Sequence, residues 1–233
     1  IGGSVHLFRE LSIGAHIHIA LYQDGSKPNL AGEDAGRIDS QAVGNVTLSG
    51  KYVIKPESKT GYGYAVVVPI TLPTGTKEAY MSRAAIALDP TFVVARTLGS
   101  WRGLLNVGTR LQDTQTTYNL KDGPVFHVAA AASYHANLPK LAISHYWFDV
   151  AVNWQTPLTS PLQDSFHERI ELFAALRVPV GRGLHAQFGT GLGLWPGFGV
   201  PVLRPMLVLR YTAPKPAGVK AQRPGKDPLG VPG

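Results

Sequence analysis

The 233-residue chain has no cysteine, so no disulfide can staple it, an absence that suits export through an oxidising compartment where stray disulfides are avoided. Charge is scarce as well, at 16% of residues against roughly a quarter in an ordinary soluble domain. No run approaches the ~18 consecutive apolar residues of a membrane helix, which excludes helical membrane spans. Ile1 opens on no initiator Met, basic segment or apolar h-region, so any signal peptide is expected to have been removed already. Acidic residues are the scarcer sign, 15 against 22 Lys and Arg, for a formal charge of +7. That excess is not gathered into a stripe with stacking aromatics, and nucleic acid is set aside as a partner.

Alternation is what the chain has in quantity. From Ile13 to Tyr211, apolar side chains recur at every second position in runs of about ten residues, each ending in a break rich in Gly, Pro, Asp or Asn. In Ile13-Gly14-Ala15-His16-Ile17-His18-Ile19-Ala20-Leu21 the odd positions are apolar and the even ones are Gly, His or Ala. Side chains of a strand alternate between faces, so one face is greasy and the other small or polar. The expected fold is therefore all-β: an antiparallel, transmembrane up-and-down β-barrel of about 12 strands, about 11 of them in this chain. Its outer face would meet membrane lipids and its inner face water or other polar side chains.

Strands are expected at 3–8, 11–22, 43–55, 61–72, 91–98, 101–112, 123–135, 141–154, 166–178, 184–194 and 203–212. Lipid-facing positions on them include Ile17, Ile19, Leu48, Val66, Val68, Val128, Leu172, Leu176, Leu207 and Leu209. Lumen-lining positions are His16, His18, Lys51, Arg102, Arg110, His127, His135, Arg169, Glu171, Arg177, His185, Arg204 and Arg210, with Lys55 added by parity. In 141–154 the apolar phase slips, which a β-bulge near Ser144 and His145 would explain. Tyr52, Tyr62, Tyr64, Trp101, Tyr134, Trp147, Trp154, Trp195 and Tyr211 lie mostly toward strand ends, as aromatic girdles do.

Loop lengths alternate too. Breaks at 8–11, 98–101, 136–139 and 179–183 are short, whereas 23–42, 73–90, 113–122, 155–165 and 195–202 are generally longer. Outer-membrane barrels keep short turns on the periplasmic side and long loops outside. Counting back from a periplasmic end after Tyr211 leaves one strand missing before residue 1, so 1–212 is expected to be a barrel without its first strand. Residues 213–233, rich in Pro, Gly and Lys, read as a basic periplasmic linker that cannot pair as a central strand.

The segments Gly50-Lys51-Tyr52, Leu72-Pro73-Thr74-Gly75, Asn106-Val107-Gly108-Thr109-Arg110 and Gly189-Thr190-Gly191-Leu192-Gly193 followed by Gly197-Phe198-Gly199-Val200-Pro201 give the chain a family look. It resembles Gram-negative outer-membrane barrels of the TraB-like group, in which the barrel precedes a C-terminal OmpA-type periplasmic domain. The resemblance implies envelope or cell-surface protein partners, and peptidoglycan only through a C-terminal domain that this sequence lacks.

Several constellations invite a chemical reading and are weighed against a bland one. The glycines at 189, 191 and 193 recur inside a strand pattern, not between a strand and a helix, so they are small lumen-facing residues and not a dinucleotide loop. His16 and His18 could meet a metal with His127, His135 or His185, but two histidines on a strand supply neither a full ligand set nor its support, and no metal or other cofactor is expected. Asp113, Asn119 and Asp122 lack EF-hand spacing. Ser133, Ser144 and Ser165 each have a nearby His, at 135, 145 and 167, without a recognisable motif, and His167-Glu168 lacks the second His of a zinc protease. No catalytic residue is assigned.

Charge then decides between functions. The inward cations outnumber the inward acids, of which Glu171 is the clear case, and in a barrel of about 12 strands they could interlock with Glu171, Asn106, Gln187 and the histidines to close the lumen. The leading expectation is a non-enzymatic outer-membrane barrel that anchors or scaffolds an envelope assembly. The alternative is a narrow, basic, anion-leaning pore, and the third a lipid-modifying enzyme. Two neighbours in one strand test the orientation: Leu172→Arg near the midplane should cost about 2–4 kcal/mol of folding stability in lipid vesicles, while Glu171→Gln leaves insertion intact.

Overall fold

In the computed structural model, the described residues are 1–20, 41–57, 61–76, 85–117, 120–137, 145–159, 161, 168–181, 183–195 and 203–212. They form fourteen strands: β1 Gly2–His6, β2 Leu11–Ala20, β3 Ala42–Lys55, β4 Gly63–Leu72, β5 Ala87–Leu88, β6 Thr91–Leu98, β7 Trp101–Arg110, β8 Gln115–Thr117, β9 Leu120–Asp122, β10 Val125–Asn137, β11 His145–Pro157, β12 Arg169–Gly181, β13 Leu184–Trp195 and β14 Leu203–Tyr211. Eleven run in one antiparallel sheet in chain order, β1-β2-β3-β4-β6-β7-β10-β11-β12-β13-β14; β5 adds to β4, and β8 with β9 forms a separate hairpin. No β1–β14 pair is present among the described residues. Each strand thus pairs with its sequence neighbours, so the connections alternate between the two ends of the sheet. The longer connections lie at one end, and the short turns and Thr212 lie at the other.

Directly paired residues share a face, so the register can be followed across the sheet. One row runs Leu203, Leu192, Leu172, Val152, Ala130, Leu105, Val94 and Tyr64. Three residues over, Arg169, Gln155, His127, Gly108, Thr91, Val67, Lys51 and Ser12 share the opposite face. The register shifts between Ile17 and Ile19, Val53 and Lys55, Ile170 and Glu171, and Pro179 and Gly181. Elsewhere the alternation expected from period two holds without interruption.

Two expectations are corrected here. The shift after Val53 sets Lys55 opposite Tyr64 on the apolar row, because one extra residue at a bulge reverses the parity beyond it. Trp147 pairs with His135 and Arg177 and so sits on the polar face, not in an outer girdle. The bulge expected near Ser144 falls partly outside the described residues, and β11 pairs in an unbroken register from His145 onward. The linker at 213–233 also lies outside them.

The burial pattern is the reverse of a water-soluble sandwich. Among the described residues the buried apolar side chains are Ala42, Ala65, Ala87, Val178 and Ala186, and Thr156 is the one fully buried large side chain. Meanwhile Leu203, Leu207, Leu209 and Tyr211 are each more than 60% exposed, and Phe148, Val150 and Phe188 are exposed too. The sheet keeps its bulky apolar groups outside.

A two-residue turn joins β6 to β7 through Gly99 and Ser100, with Leu98 opposite Trp101. Gly99 has φ +59°, a left-handed backbone that a Cβ opposes. Gly99→Val should therefore lower the stability of the barrel by about 1–2 kcal/mol, measured as a shift in its urea unfolding midpoint, with the chain's face assignment unchanged.

Candidate functional site

Four arginine–acid pairs lie on the polar face, two between adjacent elements and two reaching past intervening strands. Toward the long-loop end, Asp89 sits in the connection between β5 and β6 and draws three strands to itself. Its Oδ1 accepts from His127 Nε2 at 2.7 Å and from Thr91 Oγ1 at 3.2 Å, and its Oδ2 accepts from Arg110 Nε at 3.1 Å. Asp89 N donates to Pro69 O at 3.0 Å, which fixes the loop to β4. Gly108 makes the cluster possible. It lies opposite both His127 and Thr91, and a Cβ there would fall 2.6 Å from Thr91 Oγ1 and 2.7 Å from the His127 ring.

Toward the Thr212 end a second network spans β10 to β13. Ser133 Oγ donates to Asp149 Oδ1 at 2.5 Å, and Arg177 Nη2 reaches the same oxygen at 3.3 Å. The Arg177 guanidinium lies 5.1 Å from the centre of the Trp147 ring. His135 stacks on Trp147 at 4.8 Å and on His145 at 5.4 Å, while His185 meets Trp147 edge-on at 5.9 Å. The other two pairs are looser: Arg102 to Glu57 at 3.6 Å and Arg204 to Glu171 at 3.5 Å. Near the start of β3 the connection after β4 folds back, with Gly75 N donating to Asn45 Oδ1 and Thr74 Oγ1 accepting from Val46 N, both at 2.9 Å.

Placed in this frame, the lumen-lining candidates divide into groups. Arg110 and His127 join Asp89; His135, Arg177 and His185 join Trp147; Arg204 joins Glu171; and Arg102 meets Glu57. Lys51, Arg169 and Arg210 lie on the same face by register, with no acidic partner among the described residues. His16 and His18 contact each other edge-on at 5.2 Å, and no ring contact joins them to the other histidines among the described residues. Among those residues, no cluster of three or more His, Asp or Glu could hold a metal ion. Ile17, Leu48, Val66, Val68, Val128, Leu172, Leu176, Leu207 and Leu209 share the apolar face, and Ile19 stays on it, opposite Val43, past a register shift.

The glycines of β13 lie in a strand, and a Cβ at Gly191 would come 2.8 Å from the Phe173 ring, so the wall is thinned there for a bulky neighbour. Of the serines weighed as nucleophiles, Ser133 faces Asp149 and not an imidazole. Ser144, Ser165 and His167 lie outside the described residues, as does Asn119; Asp113 is exposed beside the β8–β9 hairpin. Sequence reasoning passed over Glu57, Asp89 and Asp149, the acids that hold the basic face together. Asp149 was within reach of it, since it alternates with Phe148 and Val150. Asp89 was not, because a residue between two strands has no parity.

The model of the family described as "Putative MetA-pathway of phenol degradation" matches residues 7–169. The chain belongs to that family. The TraB-like group with its OmpA-type domain is thereby replaced as the chain's family. The chain is also similar to the crystal structure of an outer membrane channel from Pseudomonas putida F1, at 15% sequence identity and a TM-score of 0.58, over 89% of this chain and 79% of that one. The fold is accordingly that of an outer-membrane channel barrel. No curated protein matches the chain.

Two outcomes follow from the Asp89 cluster. Gly108→Ala, which pushes a methyl into His127 and Thr91, should cost about 1–3 kcal/mol of stability in a urea titration. Burial works to raise the Asp89 carboxyl's pKa, but the His127 hydrogen bond and the Arg110 charge outweigh it and hold the group below its ordinary range. A carboxylate lowered on folding stabilises the fold above its unfolded pKa, and that contribution disappears as pH falls through the folded value. Unfolding midpoints followed from neutral to strongly acid pH should therefore drop less steeply in Asp89→Asn than in the parent.

Proposed function

We propose that the chain forms a narrow outer-membrane pore of a Gram-negative bacterium, with the polar face as its lining and the apolar face against lipid. The carrying observation is the charge balance of one face. Lys51, Arg102, Arg110, Arg169, Arg177, Arg204 and Arg210 stand against Glu57, Asp89, Asp149 and Glu171, and the four ion pairs consume four of the seven cations. Three cations are left without an acid among the described residues. A narrow passage with such a surplus raises the local concentration of anions.

Interlocking of those side chains would close the barrel, as the scaffold expectation required. Instead the arginines pair with acids along the wall, and buried polar atoms stay without a protein partner at Asn106 Oδ1, Arg177 Nε and His185 Nδ1. A fully interlocked interior would satisfy such atoms, and this one does not. The family description and the channel-like fold favour the pore over the anchoring role in the same direction. Within that family's description, small aromatic compounds are the solutes we assign. The Thr212 end is periplasmic in this proposal and the long connections face outward.

The test is single-channel recording of the purified chain in a planar bilayer. A small, stable conductance that is anion-selective in a salt gradient, with selectivity reduced in Arg169→Gln, is the expected result. Insertion with no conductance would overturn the pore.

A further inference from the structure

The polar face holds a cavity at its Thr212 end. About 150 Å³ in volume, it is lined by Trp147, Arg177, His185, Arg210 and Thr212. Register brings them together: Arg210 lies opposite His185, and Arg177 opposite Trp147. A cavity of about this size holds one benzene ring. Its walls are aromatic on one side, the Trp147 indole with His185 against its edge.

Its two arginines bring positive charge, and its hydrogen-bonding groups are in part unspent. Arg177 gives Nη2 to Asp149, yet its Nε is buried without a partner, and so is His185 Nδ1. Arg210 has no acidic partner among the described residues. Counting Arg177 and Arg210 against Asp149 leaves one positive charge in excess, which suits a monoanion. A guanidinium fork matches the planar oxygens of a carboxylate better than a hydroxyl.

We infer that this cavity is a binding subsite for a small aromatic monocarboxylate, its ring beside Trp147 and His185 and its carboxylate on Arg210 and Arg177. Its role as a step in permeation rests on the pore proposed above, while binding itself does not. The site would retain an ionised aromatic acid at the periplasmic end of the passage and discriminate it from a neutral phenol.

Calorimetric titration of the full chain in detergent micelles with benzoate, phenol and acetate tests this. Benzoate should bind saturably, with phenol and acetate each weaker by about tenfold or more, since each lacks one half of the recognition. Arg210→Gln should weaken benzoate by about tenfold, whereas Arg9→Gln, which removes the same charge from the β1–β2 turn, should not. Phenol or acetate binding as tightly as benzoate would overturn the subsite, and that comparison needs no variant to fold. So would benzoate binding unchanged by Arg210→Gln. Conductance without benzoate binding removes the subsite and leaves the pore; benzoate binding without conductance leaves the subsite and removes the pore.

Discussion

Everything in this chain depends on the antiparallel ladder running unbroken from strand to strand. A backbone amide without a partner is costly wherever water is excluded, so a sheet that presents leucines outward must satisfy its main chain internally. The pairing in chain order does this without crossovers. Once it is in place, the period of two does the rest: every side chain is committed to one face or the other, and a shift of one residue would exchange them.

That commitment is why the polar face can be so basic. Seven cations on one face would repel one another, and the structure answers with four acids, two of which each link three strands: Asp89 across β6, β7 and β10, and Asp149 across β10, β11 and β12. Glycine is used where two such groups must approach the wall. Gly108 opens room for His127 and Thr91, and Gly191 for Phe173. The apolar face carries Arg96 as well as Lys55, and Arg96 bonds the Tyr62 hydroxyl at 2.6 Å near the Gly99 turn and lies 4.5 Å from that ring's centre. A long side chain near a strand end can hold its charge toward the interface while its stem covers the wall.

Much of this was legible in the residues, because the signal is geometric. Strands such as 91–98 and 101–112 were visible as runs of alternation, and they appear as Thr91–Leu98 and Trp101–Arg110. Leu172 and Glu171 fall on opposite faces, as neighbours in a strand must. Parity failed where the chain leaves regular pairing. Lys55 lies beyond a bulge that no residue announces, and Asp89 belongs to a connection. Trp147 was a different error: its position between Tyr146 and Phe148 put it on the polar face, but the habit of aromatics to sit in girdles outweighed the alternation. The family was out of reach for another reason, since short Gly-rich motifs are common to barrels of many kinds.

The central claim is that odd and even positions of these strands meet different media, and the absence of native cysteine makes it directly measurable. Single cysteines placed in turn at positions 170 to 177 of β12 can carry a fluorophore in lipid vesicles that contain brominated acyl chains. Quenching should alternate, strong at Ile170, Leu172, Ala174 and Leu176 and weak at Glu171, Phe173, Ala175 and Arg177. Uniform quenching along the strand, or the opposite alternation, would contradict the orientation on which the lining, the pore and the subsite all depend.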